Sequence, residues 1–142
     1  MAAPRYLLDS NVLSELLKPV PHANVLARID RERDACATCS VVVMELNWGA
    51  HLMPAGARRT GLLQIYTDWF ESAGAMPVLA FDTAAALWAA QENAKLQRRG
   101  LTRPWRDAQI AATAACNGLT LVTRNQADFT PFKGLRQENW FS

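Results

Sequence analysis

Residues 6–19 read YLLDSNVLSELLKP, and the reading of this stretch decides the fold. Tyr6–Leu8 is a short apolar run of the kind that forms a buried strand. Asp9 and Ser10 follow, and both residue types cap helices by accepting a backbone N–H bond. Val12–Leu17 then has the apolar spacing of a helix, which Pro19 stops. A strand that ends on an acid and turns into a helix is the unit from which parallel sheets are built.

The same alternation recurs outward from there. Further apolar runs at Ala35–Cys39, Pro77–Phe81 and Leu119–Thr123 alternate with helix-length segments. These helices are expected at Ala23–Arg33, Val41–His51, Arg58–Ala73, Ala84–Arg99, closed by Gly100, and Asp107–Asn117, closed by Gly118. The pattern predicts an α/β protein, a three-layer α/β/α sandwich with a mostly parallel central sheet. The stretches 54–56 and 100–104 are too short to be linkers, so one domain is expected over residues 1–142. The ending, GLRQENWFS, carries two aromatics expected to pack on the body.

Composition bounds the function classes. Half of the 142 residues are hydrophobic, enough to build a core without disulfides or a structural metal. A net charge of +2 does not by itself announce a nucleic-acid binder. The arginines are nevertheless concentrated late, at Arg98, Arg99, Arg103, Arg106 and Arg124. The longest apolar run, residues 84–90, falls well short of the ~18 residues of a membrane span. No secretory signal is visible, because Asp9 interrupts the first apolar stretch, so a soluble, cytoplasmic protein is expected. Cys36 and Cys39 make a CxxC, but the remaining soft ligands, Cys116, His22 and His51, do not repeat that spacing. The expected alternative is a buried strand running into a helix, with cysteine serving as a small hydrophobe.

Ligands in open parallel sheets bind beyond the carboxyl ends of the strands. Four acids fall there: Asp9 after the first strand, Glu45 about a turn into the helix after the second, Asp107 opening the last long helix, and Asp128 after the Leu119–Thr123 run. Asp9, Asp107 and Asp128 each have an ordinary explanation, as a helix cap, a first-turn acid and a turn residue. Glu45 is harder to explain, because at helical spacing it shares a face with Val41, Val42, Trp48 and Gly49. A buried charge there needs either an ion-pair partner or a metal. The nearest basic residues in sequence are Arg33 and Arg58. If all four acids converge, repulsion destabilises the fold unless a cation neutralises them, and all-oxygen ligands select magnesium or manganese. An ion of this kind can orient a water against a phosphodiester.

The blocks carrying these acids resemble a known family. LLDSNVLSELLKP, VVVMELNWGA, DAQIAATAACNGLTLVTRNQADF and GLRQENW are similar, in order and spacing over nearly the whole chain, to those of the PIN-domain ribonucleases, specifically the VapC-type toxins of bacterial toxin–antitoxin pairs. The resemblance implies a magnesium-dependent ribonuclease, with manganese as a possible substitute, that cleaves RNA by metal-activated water. Asp9, Glu45 and Asp107 match the family's metal-binding acids. Asp128 is the fourth, because the other position used, Asn125, is not acidic here. Ser10 and Asn11 match residues that support the first acid, and Thr123 and Asn125 those near the last. Asp82 matches a recurrent acid expected to cap the helix that follows. The resemblance also implies a cognate antitoxin that covers the site, and a homodimer. The five late arginines are candidates to hold the RNA backbone, against the plainer reading of a solvated basic face.

Rival readings fare worse on the residues. A phosphoaspartate receiver needs an early acid pair and a late lysine, and a dehalogenase-type phosphatase needs Asp-x-Asp where this chain has Asp9-Ser10-Asn11. The remaining alternative is a catalytically silent PIN-like module that binds RNA or protein. An apolar surface made by Val12, Leu13, Leu16, Leu17, Trp48 and Leu52 offers a place for a partner helix, although core packing is the commoner fate of such residues.

Overall fold

The computed structural model describes residues 3–142. Among them, five strands form a wholly parallel sheet: β1 (Tyr6–Leu8), β2 (Cys36–Cys39), β3 (Val78–Leu79), β4 (Thr120–Val122) and β5 (Gln137–Glu138). Helices α1 (Ser10–Glu15), α2 (Ala23–Glu32), α3 (Ser40–Leu52), α4 (Ala57–Phe70), α5 (Thr83–Arg98), α6 (Trp105–Cys116) and α7 (Gln126–Phe129) connect them, with a 3-10 turn at Arg33–Ala35. The expected α/β/α sandwich is the architecture observed, and its sheet has no antiparallel member.

The strand order β3-β2-β1-β4-β5 determines where a ligand can sit. From β1 the chain moves out through β2 and β3, then returns to the other side of β1 for β4 and β5. The connections therefore leave β1 and β4 in opposite directions, and a crevice opens at the carboxyl ends of these two strands. Leu8 lies opposite Val122 in the β1–β4 register, so the next residues on each strand, Asp9 and Thr123, meet at the floor of that crevice.

The expected helices all form, with ends moved by a few residues. Gly100 and Gly118, at φ 75° and 67°, close α5 and α6 in the left-handed region that favours glycine. Two elements were not foreseen. β5 is two polar, half-buried residues on the sheet edge, and four-residue α7 is too short to show a period. Its hydrogen-bonding partner β4 makes Gln137–Glu138 a strand, not its own composition.

Leu7, Leu8, Val12, Leu13, Val42, Ile110, Leu121 and Val122 form the centre of the core. Val12 and Leu13 thus belong to the interior and not to a docking surface, whereas Trp48 and Leu52 are 65% and 69% exposed. Helix α6 is buried at Ala108, Ala111, Ala112 and Ala114, small side chains that let α3 and α5 approach it closely. At the end of the chain, Trp140 is buried edge-on against Tyr6, with ring centroids 5.1 Å apart. Its indole N–H donates to Glu138 at 3.0 Å. Cys36 and Cys39 are buried in β2, the small-hydrophobe role expected of them, and burial pushes both thiols up to about 11.

Candidate active site

Asp9 is fully buried and surrounded by donors. Its backbone N–H donates to the Val122 carbonyl at 2.9 Å, extending the β1–β4 ladder by one residue. One carboxylate oxygen accepts the Ser10 N–H at 2.8 Å, which caps α1. The other accepts the Thr123 hydroxyl at 2.9 Å and Asn11 Nδ2 at 3.4 Å. Asn11 also spans to the β4 side, donating to Thr123 Oγ1 at 3.3 Å and accepting the Arg124 N–H at 3.1 Å. The Asn125 N–H donates to the same threonine oxygen at 3.1 Å. The residues expected to support the first and last acids thus form one network beneath Asp9, and Asn125 contributes its backbone to it.

Glu45 stands at the margin of the core on α3. Of its expected face, Val41 and Val42 are buried, but Trp48 and Gly49 lie in solvent, so the carboxylate is only partly enclosed. Asp107, in the first turn of α6, is nearly buried. Between these acids lies the Arg106 guanidinium. It donates to Glu45 through Nε at 2.7 Å and Nη2 at 2.8 Å, to Asp9 through Nη2 at 2.6 Å, and to Asp107 through Nη1 at 3.1 Å. Ser10 Oγ is a further acceptor at 3.1 Å. Burial works against its charge, but the hydrogen bonds to Glu45 and the charges of Asp9 and Glu45 outweigh that. The guanidinium is therefore held protonated more firmly than usual.

Asp128 is placed differently. It lies in α7, about half exposed, and among the described residues reaches the others only through Arg103, which pairs with Asp128 at 2.9 Å and Asp107 at 3.2 Å. The structure therefore brings Asp9, Glu45 and Asp107 onto one cation and leaves Asp128 at the rim. Neither Arg103 nor Arg106 lies free on the surface: both are engaged by the acids. Arg98 and Arg99 are exposed at the end of α5, beside a shallow groove lined also by Lys95 and Lys133. Arg124 is exposed and stacks over Phe141 at 4.6 Å. Asp82 caps α5 by accepting the Ala85 N–H at 3.0 Å, as expected.

The partner of Glu45 comes from 61 residues away, and neither Arg33 nor Arg58 supplies it. One signal was available. An arginine in the first turn of a helix faces the positive end of the dipole, an unfavourable place unless acids gather there.

The donor set suits a hard divalent ion, because it consists of carboxylates with hydroxyls and amides behind them. Four carboxylates and two guanidinium groups leave two negative charges unbalanced, the charge of one such ion. Among the described residues no three of these side chains stand close enough to share an ion as they are placed. The guanidinium accounts for that spacing, since it spreads its donors over a plane where magnesium draws oxygens to about 2.1 Å.

Comparison with known proteins agrees with this picture. The family model described as the PIN domain matches residues 6–132. The VapC ribonuclease Y4jK of Sinorhizobium fredii is 36% identical over 124 residues, which is 87% of this chain and 89% of that protein. The tRNA(fMet)-specific endonuclease VapC of Shigella flexneri is 31% identical over 136 residues, 96% of this chain and 98% of that one. The crystal structure of DNA-bound VapBC from Salmonella typhimurium has a TM-score of 0.79 at 29% identity and covers 96% of this chain and 98% of that one. The likeness extends from β1 through the acids and past α7, so the chain belongs to the PIN-domain family, among proteins of the VapC type.

Proposed function

We propose that this chain is a magnesium-dependent endoribonuclease, the toxin of a toxin–antitoxin pair, and that manganese can replace magnesium. The observation that carries the reading is the convergence of Asp9, Glu45 and Asp107, from three separate elements, on a single cation at the β1–β4 crevice. Such convergence is destabilising without a positive charge at its centre, and it serves no packing purpose.

In this reading Asp9, Glu45 and Asp107 hold the ion, and Asp128 completes the set from the rim. The bound ion supplies a Lewis acid that orients a water and offsets the charge building on the phosphodiester. Ser10, Asn11 and Thr123 keep the Asp9 carboxylate fixed by presenting donors to both of its oxygens. The Asn125 N–H steadies Thr123 from below. Arg98 and Arg99, exposed at the end of α5, and exposed Arg124 are the proposed backbone contacts for RNA, with Arg103 and Arg106 able to join them only when released from the acids. No protein nucleophile is needed.

The named relatives guide the substrate and the partner. One is called a tRNA(fMet)-specific endonuclease, and the Salmonella structure is of a VapBC complex. Structured RNA, with initiator tRNA as the first candidate, is therefore the proposed substrate class, and a cognate antitoxin the proposed partner. On α3, Met44, Trp48 and Leu52 are 60–69% exposed at i, i+4 and i+8, a stripe suited to a partner helix. Trp48 lies three residues from Glu45, so a helix seated there covers the acids. A homodimer in the cytoplasm completes the proposal.

The test is cleavage of end-labelled initiator tRNA and total RNA by antitoxin-free protein with magnesium or manganese. Expected is cutting that stops with EDTA and in Glu45→Gln. A non-cutting binding module is the reading that the seated Arg106 favours. RNA capture without cleavage by folded protein, at any magnesium or manganese concentration, establishes that reading instead.

A further inference from the structure

Among the described residues Arg106 makes five side-chain hydrogen bonds, four to the acids and one to Ser10 beside them, so its side chain is built into the place where the ion has to go. We propose that Arg106 is this chain's own competitor for the divalent ion: it holds the acids in the metal-free protein and must swing out for the ion to enter. The inference rests on the metal-dependent reading above and adds the step by which the site is loaded.

Three features make the swing feasible. The Arg106 side chain is 29% exposed, so one side of it already faces solvent. It stands in the first turn of α6, beside Trp105, which is 60% exposed, and a change of side-chain rotamer frees it without unwinding the helix. Two of its three acid partners do not depend on it for position, and the third, Glu45, is carried by α3 and is partly exposed. Asp9 keeps Ser10, Asn11 and Thr123, while Asp107 keeps Arg103. Arg103 does not touch Asp9 or Glu45, so it stays on the rim pair when the ion binds.

The consequences are specific. A site already holding a cation binds the ion more weakly than its donors alone would, by the fraction of time the guanidinium is out. The displaced guanidinium is then left at the mouth of the crevice, where a phosphate is the natural anion for its planar donors. Metal-free protein is meanwhile spared the repulsion of three carboxylates at close quarters.

The experiment compares manganese binding by calorimetry to EDTA-stripped, antitoxin-free wild type, Arg106→Gln and, as the control, Arg33→Gln. It also follows the Arg106 Nε–H resonance of the 15N-labelled wild type during magnesium addition. Arg106→Gln is expected to bind manganese about tenfold to a hundredfold more tightly, and Arg33→Gln, at an exposed arginine paired with Asp30 ahead of β2, to change by less than about threefold. The Nε–H signal, protected by Glu45 in EDTA, is expected to be lost to solvent exchange as magnesium saturates. Equal or weaker manganese binding by Arg106→Gln, or a resonance unmoved at saturation, overturns the competition and leaves the metal-dependent reading standing. Should Arg106→Gln fail to fold, the wild-type resonance decides alone. Folded wild type and Arg106→Gln that both ignore manganese and magnesium overturn the competition and the metal-dependent reading together.

Discussion

Replacing Asp9 by asparagine, the customary way to silence a metal-binding acid, is expected to damage the fold as well as the chemistry. The two carboxylate oxygens of Asp9 face donors only: Ser10 N–H and Arg106 on one side, Thr123 and Asn11 on the other. An amide supplies one acceptor, so its NH2 group must confront donors whichever way it turns. The better orientation keeps Ser10 and Arg106 and aims the NH2 at Thr123. That hydroxyl already accepts from Asn11 and the Asn125 N–H and is left without an acceptor for its own proton. An unsatisfied buried donor costs about 1–3 kcal/mol, and weakening the Arg106 contact from charged to neutral adds about 1 kcal/mol. Relief of the carboxylate's own burial returns part of this, for a net loss of about 2–3 kcal/mol. For a chain of this length that lowers Tm by roughly 6–12 °C. Glu45→Gln makes the contrast. Among the described residues its partly exposed carboxylate has no hydrogen-bond partner besides Arg106, so that change is expected to stay within about 1 kcal/mol of wild type. Thermal melts in EDTA at pH 7 measure both. An Asp9→Asn melt within about 2 °C of wild type, or a Glu45→Gln loss as large as that of Asp9→Asn, refutes the donor argument.

Two further expectations follow from burial. Of the three thiols, only exposed Cys116 is expected to react promptly with Ellman's reagent in the native state, with Cys36 and Cys39 reacting after denaturation. Because burial raises those two thiols from 9.0 to about 11, their contribution to stability is complete below pH 9 and lost as the pH rises through about 11. Tm is therefore expected to fall over that window, and alanine at positions 36 and 39 to flatten the fall; an unchanged slope would count against this cause. On α3, Trp48→Glu is expected to leave Tm unchanged, since the indole is 65% exposed, and to weaken antitoxin binding about thirtyfold or more, as loss of an interface anchor does. Calorimetric titration with the antitoxin measures that, and an unaltered affinity would place the interface elsewhere.

Much of this protein is legible along the chain because its cues are local. An apolar run marks a strand buried on both faces, and the helix caps and stops stand within a residue or two of the ends they make. Asp9, Glu45 and Asp107 can each be named from their places after strands and at helix starts. What a single chain hides is whatever depends on a partner distant in sequence. Gln137–Glu138 is a strand because β4 lies beside it, while its own residues are polar. Asp9 is a fully buried carboxylate because the β1–β4 register sets it on Thr123.

Arg106 shows the boundary most clearly. Its sequence position, next to an acid and after a proline-bearing loop, reads as a basic face able to touch RNA. Its role depends on which way the first turn of α6 points, and the parallel order of the sheet decides that by setting the turn against Asp9 at the end of β1 and Glu45 on α3. The sequence by itself determined the α/β alternation and the identity of the acids. Only the tertiary structure decided that three of them share one guanidinium while Asp128 waits at the rim, because charges separated by tens of residues interact only after the sheet has brought them within a few ångströms.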